Sequence, residues 1–232
     1  MELYHALNRG VEKRPIFLDN QDRARFVHDL YEFNRMYPAR NTRRLFNKED
    51  DGVESRMIDL GGRSLGRKEK EGGVLVDIHG WCIMGNHYHL LLSEREEGNL
   101  SRFLMKLNVG YAKYFNERYG RTGYVFQGRT KKVHIASQAH FAYILHYIHL
   151  NPLDFLSGAE GWRGGEVGSA EAALKHLEGY RWSSFLDYCG VRNFPSVITT
   201  ELFREVSPDY RRELGGYLKD MQLDTVRNML LE

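Results

Sequence analysis

Two histidines one residue apart, His87 and His89, and a tyrosine four residues before an asparagine, Tyr147 and Asn151, are the positions at which this sequence could do chemistry. Side chains alternate along an extended strand, so His87 and His89 emerge on one face, with Cβ atoms about 7 Å apart, while Tyr88 faces the other way. Two imidazoles at that separation can share one divalent ion if a third ligand approaches from elsewhere. Residues four apart on a helix lie on one stripe, so Asn151 can offer an amide oxygen as that ligand and Tyr147 a hydroxyl beside it. A phenol held near such an ion is placed to attack a phosphate. Imidazole, amide oxygen and water suit Mg²⁺ or Mn²⁺; the cysteines, Cys82 and Cys189, are far apart and form no zinc pattern.

Each of these residues also has an ordinary structural use. A His-x-His pair can be hydrogen-bonded histidines of a core, and a tyrosine on an apolar helix commonly packs with its hydroxyl satisfied, which is the reading for most of the 14 tyrosines. His149, two positions beyond Tyr147, points to another helix face, and His134, His140 and His146 carry no assignable partner.

The chemistry requires a strand for the histidines and a helix for the tyrosine. Residues Leu3 to Asn8 can form a first strand, and Asn20 precedes a helical stretch with Phe26, Leu30, Phe33 and Tyr37 at helical spacing up to Pro38. Residues 39–73 are charged, contain glycine and lack a steady period, which predicts a mobile insertion or long loop. VLVDIHGWCIM reads as a strand, Gly85-Asn86 as a turn, and HYHLLLS as the antiparallel return. Leu100, Phe103, Leu104, Leu107, Tyr111, Tyr114 and Phe115 follow one face of a second helix ending near Gly120, and Lys131 to Ile135 supplies a fourth strand. A third helix starts at Ser137, a good N-cap, and stops at Asn151 because Pro152 cannot continue it.

The order strand, helix, strand, strand, helix, strand predicts an α+β fold: a ferredoxin-like split βαβ antiparallel sheet with helices on one face. Residues 1–155 form the expected core. A glycine-rich connection from Ser157 to Gly179 and a helical C-terminal extension make up 156–232.

Composition narrows the setting. The 42% hydrophobic and 12% aromatic residues are those of a folded chain, which excludes wholesale disorder. No apolar run approaches the roughly 20 residues of a membrane span, and MELYHALNRG lacks a signal-peptide core, so a cytoplasmic, membrane-free protein is expected. Net charge is only +2, but between Arg102 and Lys132 eight basic residues face one acid, Glu117, with Tyr111, Tyr114, Phe115, Tyr119, Tyr124 and Phe126 interleaved. Cations for phosphates and aromatic faces for unpaired bases suit single-stranded nucleic acid; a solvated helix face over core aromatics is the alternative. Lys106, Lys113, Arg121, Gln127, Arg129, Lys131 and Lys132 are the DNA-contact candidates from this stretch.

The motifs also resemble a known family. MGNHYHLLL is similar to the histidine motif of the REP-associated tyrosine transposases, a single-tyrosine HUH endonuclease class, and YIHLNP to their tyrosine motif. The resemblance runs from YHALNRG through the FQGR loop to RWSS, about Tyr4 to Tyr188, with 39–73 and 157–179 longer than the family minimum. Gly85 stands where relatives usually have proline, and Phe126 where they often have tryptophan. The resemblance implies that His87, His89 and Asn151 hold the metal and that Tyr147 takes a 5′-phosphate in a covalent phosphotyrosine. It further implies a bacterial enzyme acting on single-stranded DNA that bears a hairpin, with Asn8, Arg9 and the loop from Gln127 to Lys132 as contacts, working as a monomer or homodimer. A binding or regulatory module that no longer cuts is the second reading. A phosphoesterase using water ranks last, because it leaves Tyr147 and its spacing to Asn151 unused.

Overall fold

The computed structural model describes residues 1–36, 43–45, 56–58, 64–65 and 73–220. Strand β1 (Leu3–Arg9) leads to helix α1 (Asn20–Glu32), followed by three short strands, β2 (Arg43–Leu45), β3 (Arg56–Ile58) and β4 (Ser64–Leu65). Then come β5 (Val76–Ile83), β6 (His87–Glu94), α2 (Asn99–Arg118), β7 (Lys131–His134) and α3 (Gln138–Leu150). Four further helices complete the described chain: α4 (Ala170–Gly179), α5 (Phe185–Tyr188), α6 (Glu201–Val206) and α7 (Tyr210–Lys219).

The main sheet has the order β5-β6-β1-β7, and every neighbouring pair is antiparallel. Each of the two helical crossovers joins strands with a third strand between them, which is the ferredoxin-like split βαβ arrangement expected from the order of elements. Helix α1 is capped by Asp19, whose carboxylate accepts from Asp22 N at 3.0 Å, one residue earlier than the Asn20 signal suggests. It also ends well before Pro38. The buried amide of Asn34 bonds both backbone groups of Val76, at 2.9 Å each, and this strand-like pairing draws the chain out of the helix.

The pleat sorts the sheet into two faces. Ala6, Ile78, Tyr88, Leu90 and Leu92 pack against Phe26 and Leu30 of α1 and Phe103, Leu107 and Tyr111 of α2. Helices α1 and α2 thus share one face, as expected. The opposite face, presenting Leu3, Cys82 and Leu91, is covered by Ile144, Leu145 and Ile148 of α3, so the helices occupy both faces and not one alone. A bulge between Ile78 and Gly80 brings α3 close there: a Cβ on Gly80 would lie 2.9 Å from Leu145 Cδ1. Leu177, Phe185, Tyr210 and Leu214 complete this second core, so the helices after α3 pack onto the sheet through it.

Two further expectations change. Within 39–73, read as a loop, β2, β3 and β4 form a three-stranded antiparallel sheet; strands of two or three residues are too short to show alternation, and the rest of that segment lies outside the described residues. Within the glycine-rich stretch, Ser169 caps α4, which buries only Ala173 and Leu177, too few apolar positions for a period to be seen. Residues 221–232 of the expected C-terminal extension also lie outside the described residues. Among the described residues no helix is long and apolar enough to cross a membrane.

Candidate active site

Strand β6 lies beside β1 with His87 opposite Arg9, His89 opposite Leu7 and Leu91 opposite His5. Directly opposed residues share a face, so His5, Arg9, His87 and His89 all project toward α3. The His87 and His89 rings stand 4.9 Å apart. His87 Nδ1–H donates to Asn86 Oδ1 at 2.6 Å, and the Asn86 amide nitrogen donates to Lys13 O at 2.8 Å, which orients the amide and leaves His87 Nε2 as the ring's lone-pair atom. His89 Nδ1 lies 2.9 Å from His5 Nε2, and these two rings stack at 5.2 Å. Both Nε2 atoms, of His87 and of His89, are buried without a hydrogen-bond partner among the described residues. Burial holds all three imidazoles neutral near neutral pH: it lowers His87 to about 4, with Arg9 adding to the effect, lowers His5 to about 3, and takes His89 well below its usual value.

The tyrosine arrives from above this face. Ser137 caps α3 by accepting from His140 N at 3.2 Å, and at the other end Pro152 turns the chain into a 3₁₀ segment, Asn151–Phe155. Tyr147 is fully buried, its ring 5.6 Å from His89, 5.8 Å from His5 and 5.9 Å from Trp162. Asn151 is also fully buried; its amide nitrogen donates to Tyr147 O at 2.8 Å and its Oδ1 accepts from Arg163 at 3.1 Å. The 3₁₀ segment then places Asp154, which accepts from Trp162 Nε1 at 2.7 Å and pairs with Arg163 at 2.5 and 3.0 Å.

The structure brings His87, His89 and Tyr147 together with Asn151 at the end of the same helix, and around them it places residues that the sequence reading did not single out for the site: His5, Asn86, Asp154, Trp162 and Arg163. Of these only Asn86, in the Gly-Asn turn, carried a local signal. The donor chemistry fits a divalent ion. Metal-bound histidines ordinarily engage their other ring nitrogen in a hydrogen bond, as both do here, and the Asn151 oxygen keeps a second lone pair beside its bond to Arg163. No cluster of three or more His, Cys, Asp or Glu side chains able to hold a metal exists among the described residues, so an amide would have to complete the set.

The nucleic-acid candidates scatter. Helix α2, with Lys106 and Lys113, packs on the sheet face opposite Tyr147, and Lys106 Nζ donates to Arg35 O at 2.7 Å. The interleaved aromatics are corrected: Tyr111, Phe115 and Phe126 are core residues, and Tyr114 and Tyr119 direct their hydroxyls to Asp22. Only Tyr124 of the six is open to solvent, at 87%. Helix-spaced aromatics served the core, so base stacking by this stretch loses its basis. Arg121 lies over the Phe115 ring, while Gln127, Arg129, Lys131 and Lys132 remain exposed, Lys132 Nζ reaching Ser101 Oγ at 3.0 Å. Asn8 is buried and spends its side chain on Gly128 O, at 3.3 Å, and Thr130 Oγ1, at 3.4 Å, shaping the loop instead of facing solvent. His149 is structural, bonded to Tyr210 and Ser184.

The fold and the site together define a ferredoxin-like α+β protein with two histidines, a tyrosine and an asparagine gathered between sheet and helix. No family model matches the chain, and no curated protein matches it. Among solved structures it is similar to a REP-associated tyrosine transposase bound to a REP hairpin, at 13% identity over 85% of each chain with a TM-score of 0.46.

Proposed function

We propose that the protein is a tyrosine-nucleophile endonuclease and strand transferase acting on single-stranded DNA. The observation that carries this reading is the placement of Tyr147 5.6 Å from His89, over a sheet face where His87 and His89 both leave a buried Nε2 without a protein partner among the described residues. A divalent ion, Mg²⁺ or Mn²⁺, on those two nitrogens and Asn151 Oδ1 would withdraw charge from the oxygens of a phosphodiester. Tyr147 attacks phosphorus, the new O–P bond replaces the bond to the departing 3′ oxygen, the proton given up by the phenol ends on that oxygen as a 3′-hydroxyl, and a 5′-phosphotyrosine keeps the bond energy for rejoining. Asn86 and His5 act one step back, fixing the rings of His87 and His89. The preference for a hairpin beside the cleaved strand rests on the motif resemblance alone.

One observation favours a second reading, a nucleic-acid-binding module that does not cut: Tyr147 is wholly covered, and Asn151 Oδ1 is engaged by Arg163. Incubation with a labelled single-stranded oligonucleotide pool and Mn²⁺, followed by a denaturing gel, separates the two. The endonuclease reading expects protein-linked DNA that disappears with chelator; binding without any linked DNA supports the silent module.

A further inference from the structure

The cover over Tyr147 is made by a short loop. Trp162 and Arg163 sit on a single 3₁₀ turn, Trp162–Gly164, closed by Gly165 at φ 82, a left-handed conformation that a side chain would strain. Trp162 is fully buried against the Tyr147 ring, and Arg163 stacks over Trp162 at 4.3 Å. Asp154, seven residues beyond the tyrosine, grips both through Trp162 Nε1 and the Arg163 guanidinium. The pair is not sealed off: the Arg163 and Asp154 side chains are 27% and 31% exposed. A guanidinium in this place has a planar donor set matched to two oxygens of one acid group, and it already engages both oxygens of the Asp154 carboxylate in that way.

We propose that Arg163 is a substrate-contacting residue of this site: it takes the non-bridging oxygens of the phosphate that enters the Tyr147 pocket, exchanging the Asp154 carboxylate for the phosphodiester. The inference rests on the nucleophile assignment above and extends it. Asp154 is then a positioning residue that holds the guanidinium beside Tyr147, the Asn151 oxygen keeps its second lone pair for the ion, and Trp162 moves with Arg163 to uncover the tyrosine. The loop between Ser157 and Gly179, read from sequence as a connection, becomes part of the active site.

The test uses the whole chain and a random single-stranded 30-mer DNA pool, with binding measured in EDTA across a salt series and adduct yield measured in parallel with Mn²⁺. A single phosphate contact contributes a slope of about 0.7 in log affinity against log salt for single strands, so Arg163→Gln should flatten the dependence by about that much. Arg163→Lys keeps the charge and should keep the slope, while Asp154→Asn, which retains an oxygen for Trp162, should bind the pool more tightly. An Arg163→Gln variant with an unchanged slope overturns the proposal, as does one that melts earlier while binding as before, because that is what a purely structural arginine would do. The double variant Asp154→Asn/Arg163→Gln, which leaves no carboxylate stranded, must reproduce the flattened slope. If the slope falls but wild type forms no adduct, the phosphate contact stands and the nucleophile reading fails. If wild type forms adduct and the slope is unaltered, the nucleophile reading stands and the contact fails.

Discussion

Replacing His5 by phenylalanine isolates the support behind the histidine pair. The substitution keeps a flat ring on β1 but removes the nitrogen that lies 2.9 Å from His89 Nδ1, in a place where His5 and His89 are almost completely buried. Water cannot replace the lost partner without opening the α3 interface, so a polar ring nitrogen is left unsatisfied at a cost of about 1–3 kcal/mol. The added apolar area of phenylalanine returns part of this, and the net loss is about 1–2 kcal/mol. For a chain of 232 residues that corresponds to a melting point lower by roughly 2–8 °C. A second readout distinguishes orientation from stability: freed of its partner, His89 no longer holds one ring orientation, and loss of such an outer partner weakens metal binding by about 10–100-fold. Thermal unfolding and Mn²⁺ titration calorimetry of wild type, His5→Phe and His5→Gln supply both numbers, with glutamine restoring affinity through its amide oxygen. A His5→Phe protein that melts and binds Mn²⁺ like wild type would refute the argument.

Tyr147→Phe should abolish the DNA adduct while leaving pool affinity within about twofold, since only the attacking oxygen is removed; gel and binding assays on one preparation check this. His87→Ala or His89→Ala should each end metal-dependent nicking with the fold retained, read by nicking assay and circular dichroism; full nicking under limiting metal would make the pair structural. Trp162→Ala should destabilise by about 3–5 kcal/mol, because a fully buried indole and its bond to Asp154 are lost, and should make Tyr147 reactive to nitration in the folded protein. His149, fully buried and held well below its ordinary pKa by that burial, with His146 adding to the effect, contributes stability that is present above about pH 6.5 and lost as pH falls. Denaturant melts should therefore lose about 1.0 kcal/mol more between pH 6.5 and 5.5 in wild type than in His149→Gln.

What could be read from the residues divides along local and long-range information. The His87-x-His89 alternation, the Gly85-Asn86 turn, the Ser137 cap and the Tyr147-to-Asn151 stripe are local patterns, and each sits where its spacing placed it. The order of those elements matched the split βαβ motif, and the observed strand order β5-β6-β1-β7 is that of the motif. His5 was missed because its partner His89 lies 84 positions away, and Arg163 because a glycine-bounded turn has no period to announce that it folds back on Asn151. The basic and aromatic interleaving misled for a physical reason. Phe103, Leu107, Tyr111 and Phe115 recur at helical spacing, and that period marks a core stripe before it marks a stacking surface.

Mass spectrometry of the protease digest of a protein–DNA adduct bears most directly on the central claim. After Mn²⁺-supported reaction with single-stranded DNA and nuclease trimming, a nucleotide should remain attached to the peptide containing Tyr147, on the phenol oxygen and through a 5′-phosphate. Attachment at Tyr143, whose ring is 6.0 Å from Tyr147, or at no tyrosine under conditions where strands are cut, would contradict the account.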